Sequence, residues 1–171
     1  MSSIFPIVRT CRFAQLGAGH LIALEWDGWK GYAITTPLLD PMDGFGAMLL
    51  GPFTQNMSHN YTTPDQVSVL DFGIEWAATF SPELEGVHFP RSEDEMRPGS
   101  LLITNGGELA IASRGYSGSR AFYQVKEKRL AQRARDVYGA LTKWSIEVRS
   151  GERCCQILSV EALSTSLGQK L

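Results

Sequence analysis

The chain has no long hydrophobic run: apolar stretches such as "AMLL" and "LLIT" break off after four residues or fewer, whereas a membrane-spanning helix needs roughly 18. No transmembrane segment and no membrane partner are expected. The opening "MSSIFPIVRTCRF" has no basic start followed by a long apolar region and a small-residue cleavage site, so no secretory signal is read and a cytoplasmic location is expected. Cysteine is scarce. The three thiols, Cys11, Cys154 and Cys155, are an odd number, and the adjacent pair would close only a strained ring. Reduced, buried thiols are the expectation.

Several chemistries lack their signatures. "LGAGH" carries Gly17 and Gly19, but Ile22 stands where a dinucleotide fingerprint needs its third glycine, and no Gly-Lys-Ser/Thr is present, so no nucleotide site is assigned. His20, His59 and His88 are far apart and have no ligands at metal spacing. No cofactor and no metal are expected. A Gly-x-Ser-x-Gly elbow is also missing, and carboxylates such as Asp71 with Glu75 or Asp40 with Asp43 read as solvated pairs. Catalytic groups assemble in space, so an enzyme whose site is unreadable from sequence stays open as an alternative.

What is present is globular. The 171 residues are 43% hydrophobic and 20% charged, with four tryptophans, which fits one domain over residues 1–171 and not a disordered chain. "HLIALEWDGWKGYAITT", residues 20–36, reads as a hairpin turning at Asp27-Gly28, with Trp26 and Trp29 covering one sheet face. "FGAMLL" is a short strand among Pro- and Gly-punctuated loops. Leu70, Phe72, Ile74 and Trp76 alternate as on a strand, preceded by a turn at Thr63–Gln66. "SEDE", 92–95, reads as one or two helical turns capped by Ser92 and Glu95. Asn105-Gly106-Gly107 marks a second hairpin, "SRAFYQV" a neighbouring strand, and Ser150-Gly151 a third hairpin in which Trp144, Ile146 and Val148 alternate. Leu130, Ala134, Val137, Tyr138 and Leu141 fall on one helical stripe. The expected fold is therefore α+β: mainly antiparallel sheet built from hairpins, with one amphipathic C-terminal helix packed on it.

Charge is unevenly spread. Residues 1–24 carry +2, residues 25–95 carry −10 and residues 96–171 carry +6, giving the net −2. Within the last third, "SRGYSGSRAFYQVKEKRLAQRARD" (113–136) is +5. If the fold keeps these segments on separate faces the molecule is electrostatically polarised; if they interleave, the fields cancel. Arg114, Arg120, Lys126, Arg129 and Arg133, with Tyr116 and Tyr123 between or beside them, are the candidate partner-binding residues. His59 and Tyr61 join them on the loop "GPFTQNMSHNYTTP". Arginine and tyrosine are interface residues, so the expected function is a non-enzymatic, cytosolic protein-binding module whose partner has complementary charge, of the kind that inhibits or neutralises another protein. Nucleic-acid binding through the basic 114–135 segment, with stacked tyrosines, is the alternative, although a pI near 5.9 is low for it. The plain counterpart to both is a solvated rim whose basic stems lie along apolar neighbours.

Overall fold

The computed structural model describes residues 8–26, 28–37, 45–51, 55–57, 66–80, 86–115, 118–134 and 136–162. Its framework is laid down by the tight turns. β2 (Leu21–Trp26) and β3 (Trp29–Pro37) pair in register from Leu21↔Ile34 to Trp26↔Trp29, and Gly28 supplies the positive φ of 75° that the turn requires. β4 (Phe45–Leu50) adds to β3, and β5 (Gln55–Met57) adds to β4. On the other flank, β6 (Ser68–Asp71) pairs β2, and β1 (Arg9–Arg12) pairs β6 with Arg9 opposite Asp71.

The second half repeats the logic. β9 (Leu101–Thr104) and β10 (Leu109–Gly115) flank the Asn-Gly-Gly turn; β11 (Arg120–Gln124) and β12 (Arg129–Ala131) follow by hairpins. β13 (Val137–Leu141) pairs β9, and β8 (Val87–His88) pairs β13 at the edge. β10 joins the halves through a short parallel pairing of Arg114–Gly115 with Gln55–Asn56 of β5, giving a 12-stranded sheet. β12 packs against β3 on the far side. A separate three-stranded sheet is formed by β7 (Trp76–Thr79), β14 (Lys143–Ser150) and β15 (Arg153–Glu161), with β15 at its edge. The β14–β15 ladder slips by one residue between Ile146 and Glu147, leaving Ile157 as the extra residue of a bulge.

Three apolar clusters hold these layers. The central one takes Leu21, Ile34 and Met48 from the first half, Ile111, Tyr123 and Leu141 from the second, and Trp144, Ile146 and Val148 from the small sheet. Each such side chain contributes about 1.5–3 kcal/mol on burial. The outer face of the first half is covered by Phe13 and Leu16, from and just after the 3-10 turn Phe13–Gln15, with Trp26 and Trp29 packed beside them. The outer face of the second half gathers Leu102, Ala110, Ala112, Phe122 and Ala140, with Met96, Ala134 and Val137 lying against them.

The described residues contain no α-helix, so the α+β expectation is corrected to a nearly all-antiparallel β fold, and the C-terminal helix is replaced by β12 and β13. The backbone gives the reason: Lys128 and Asp136 adopt φ of 54° and 51°, left-handed values that close a hairpin and re-aim a strand but cannot lie in a right-handed helix. The apparent stripe divides between two cores. Leu130 and Leu141 enter the central cluster, Ala134 and Val137 enter the outer one, and Tyr138 stays 64% exposed. Short apolar runs carry helix and strand periods at once, and tertiary packing decides between them.

Smaller expectations fared unequally. The strand foreseen through Leu70–Trp76 is cut at Gly73, φ 85°, so β6 and β7 belong to different sheets. The "SEDE" helix is a 3-10 turn over Glu93–Glu95 in which Ser92 makes no side-chain cap bond, while Glu95 accepts the Arg91 amide at 2.9 Å. The turn expected from Thr63 lies, apart from Gln66, outside the described residues. The thiols are free but not all buried: Cys154 is exposed, and Cys11 and Cys155 are half-buried.

Candidate binding surface

Strand alternation sorts the basic stretch. Along β11, Ala121 and Tyr123 point into the central core, and Arg120, Phe122 and Gln124 point to the outer face. Tyr123 is fully buried, so it is a core residue and cannot stack on a ligand. Arg114 of β10 stands directly opposite Arg120, a like-charge pair that would cost stability unrelieved. Relief comes locally: Arg120 forms an ion pair with Asp94 of the 3-10 turn, and Arg114 Nε donates to the Gly118 carbonyl at 3.3 Å.

Beyond Phe122 the same outer face opens into a groove of about 800 Å3 between the β9–β10 turn and the chain after β12. Ala110, Phe122 and Val137 contribute apolar surface to it. Among the described residues Lys126, Arg129 and Arg133 line it, but so do Glu108, Glu127 and Asp136, so the cations there are matched by carboxylates. Lys126 Nζ meets Glu108 at 3.2 Å and Arg129 Nε meets Glu127 at 2.6 Å. Exposed pairs of this kind are worth about 0–1 kcal/mol and exchange readily for a partner's groups. Arg133 has no ion pair or hydrogen bond among the described residues. Lys128 departs from the groups flanking it in sequence, laying its stem over Gly19.

One residue past the groove-lining Val137, β13 carries half of an exposed aromatic pair. A register slip between Val137 and Gly139 makes Tyr138 the extra residue of a bulge, and bulges re-aim side chains. Its ring meets that of Phe89, which follows the edge strand β8, edge to face at 5.6 Å, and both are 64% exposed. Neither Phe89 nor Tyr138 stood out in the sequence as a binding residue. The period of Tyr138 in the sequence matches the apolar stripe, and the bulge turns it outward.

The structure thus brings Lys126, Arg129 and Arg133 together in one groove, sets Arg114 and Arg120 at the other end of the same face, and removes Tyr123 to the core. Tyr116, His59 and Tyr61 lie outside the described residues. The acidic and basic thirds are cross-linked by Arg120–Asp94 and, from the N-terminal third, by Arg9–Asp71.

Two further clusters bear on chemistry. Asp71, 1% exposed, accepts Arg9 Nε at 2.6 Å, the Gly73 amide at 2.8 Å and His20 Nδ1 at 2.9 Å. Burial pushes the Asp71 carboxyl up, but the bonds from His20, Gly73 and Arg9 together outweigh it and hold the group below its ordinary value. No sequence signal flags this cluster, because its members lie 51 and 62 residues from Asp71. On the small sheet, Cys154 Sγ donates to Glu147 at 2.8 Å, and that bond raises the thiol above its ordinary value. A thiol held protonated is a slow nucleophile even when exposed.

The class this architecture defines is an antiparallel β domain with a mixed-charge groove on one outer sheet face. No protein family matches the chain, and no curated protein or solved structure matches it at a significant level. No helix among the described residues is long and apolar enough to cross a membrane.

Proposed function

We propose that this chain is a protein-binding domain, working in the cytosol, that holds a segment of a partner protein in the groove beside Phe89 and Tyr138. The observation that carries the reading is the groove's composition: apolar surface rimmed, among the described residues, by cations and carboxylates in equal number, with Tyr138 of an exposed aromatic pair one residue past the lining residue Val137. Protein interfaces combine aromatic anchors with polar, charge-matched rims. Single-strand nucleic-acid sites instead need an uncompensated basic track and exposed rings for stacking. Among the described residues every groove cation is matched by a carboxylate, so a protein partner accounts for the surface better than a nucleic acid does.

The test is affinity capture with the wild-type chain and with two surface variants, Phe89→Ala with Tyr138→Ala, and Arg129→Glu with Arg133→Glu, followed by titration of the captured protein after purification. The expected result is saturable binding by wild type that weakens at least tenfold in either variant, a loss of about 1.4 kcal/mol or more. A parallel titration with labelled single-stranded oligonucleotide should give only weak binding. Tight oligonucleotide binding with a steep salt slope, or a partner indifferent to both variants, would overturn the assignment.

A further inference from the structure

The geometry points to a second site, on the other half of the large sheet: Arg9 and His20, both fixed by Asp71, bind a phosphate-type oxyanion that carries an O–H, and His20 Nε2 accepts that proton. Three separate segments build it. Arg9 comes from β1, His20 from the loop before β2, and Asp71 from the end of β6, where Arg9↔Asp71 and Ile22↔Asp71 are register partners.

An ionised carboxylate only accepts hydrogen bonds, so the nitrogen of His20 that faces Asp71 Oδ1 at 2.9 Å carries the proton. The lone pair is left on Nε2, which has no partner among the described residues, on a side chain 17% exposed. Arg9 spends only Nε on Asp71 Oδ2. Its terminal amino groups have no partner among the described residues, and the side chain is 64% exposed. A guanidinium with free terminal donors suits the geometry of phosphate oxygens, and an aspartate behind an imidazole fixes the tautomer that leaves the outer nitrogen basic. One carboxylate therefore holds both side chains, through Arg9 Nε and His20 Nδ1, and leaves their outer nitrogens without a partner among the described residues.

The loop that carries His20 is tied down through its backbone. The Thr35 hydroxyl accepts the His20 amide at 2.9 Å and donates to the Gly17 carbonyl at 2.6 Å. The Gly19 amide donates to the Thr35 carbonyl at 2.8 Å, and the Trp76 indole donates to the Gly19 carbonyl at 2.9 Å. Had Asp71 needed only satisfying, Arg9 and the Gly73 amide already do so. The imidazole adds a third bond and presents an unused nitrogen. Cys11, two residues from Arg9 on β1, is pushed up by burial and by the Asp71 charge, so it stays a neutral neighbour. Arg9 and Asp71 cancel in charge, so recognition rests on directed donors and acceptor, and weak affinity in the millimolar range is expected.

The proton step balances without a redox partner. The O–H of the bound phosphate, or of a water held beside it, gives its proton to Nε2; the oxygen keeps the bonding pair; and Nδ1 keeps its own proton on the bond to Asp71. The site is independent of the groove, so either assignment stands if the other fails.

The test is a titration of the 15N-labelled full chain with inorganic phosphate, reading the imidazole nitrogens by long-range proton–nitrogen correlation, with sulfate, which has no O–H near neutral pH, as the second probe. The free protein should show the Nδ1-protonated tautomer. Phosphate should shift Nε2 saturably, Arg9→Gln should weaken that binding about tenfold or more, and sulfate should move Nε2 less. If Arg9→Gln lowers the melting temperature enough to confuse the result, Arg9→Lys keeps the charge and loses the fork, and should still weaken binding. An Nε2-protonated tautomer, a response that never saturates, or equal Nε2 shifts from both anions would overturn the site.

Discussion

Replacing Asp71 by alanine removes the one acceptor that ties β1, β6 and the loop before β2 together. The cost can be worked bond by bond. Arg9 is 64% exposed and returns to water at little loss, because an exposed ion pair is worth about 0–1 kcal/mol. The His20 Nδ1–H and the Gly73 amide are part-buried donors, and each costs about 1–3 kcal/mol when left unmade. Water reaches both positions in part, so the sum falls near 2–4 kcal/mol. For a chain of this length each kcal/mol moves the midpoint by about 2–4 °C, which puts Asp71→Ala roughly 5–15 °C below wild type at neutral pH. The assay is thermal unfolding by circular dichroism, paired with urea denaturation in which the midpoint falls at unchanged slope. The pH dependence has a definite sign. A carboxyl whose folded value lies below its unfolded one contributes fully above the unfolded value, about 3.9, and loses that contribution as the pH falls through the folded value. The gap between wild type and Asp71→Ala should hold from pH 7 to about 5 and close below about 4. A fall of less than 2 °C at pH 7, or a gap that widens with acid, would refute the reasoning.

Two further outcomes follow from the same accounting. The Tyr123 hydroxyl is buried with no partner among the described residues, so Tyr123→Phe should stabilise by about 1 kcal/mol, a rise of about 2–4 °C; a fall in midpoint would mean that the hydroxyl is bonded. Because the bond to Glu147 holds the Cys154 thiol protonated, Glu147→Gln should speed its reaction with a disulfide reagent at pH 8 severalfold, whereas an unchanged rate would sever the link between carboxylate and thiol.

How far the fold could be read ahead depended on the range of the signal. The Asp-Gly, Asn-Gly-Gly and Ser-Gly turns are local, and β2–β3, β9–β10 and β14–β15 formed where those residues placed them. The segment from Leu130 to Leu141 failed because its residues serve two clusters on opposite faces of a sheet, a fact that no window of the sequence contains. Within the candidate surface, the run of cations was visible, but Asp94 and Glu108, which neutralise Arg120 and Lys126, come from elsewhere in the chain. The cluster of Arg9, His20 and Asp71 was invisible for the same reason. Its residues look like an isolated arginine, a lone histidine and an ordinary acidic residue until β1, β2 and β6 lie side by side.

The bulge at Ile157 has a bearing on how the molecule behaves in a crowd. β15 is nine residues long, contains no proline, and has no strand on its outer edge among the described residues. Such an edge is an invitation to pair with any extended chain, and repetition of that pairing is how sheets grow into fibres. An extra residue midway throws the outward-facing amides and carbonyls out of step and sharpens the local twist, so a docking strand finds a matching ladder for only half its length. The interruption acts as a stop signal in the backbone, letting an open sheet remain finite.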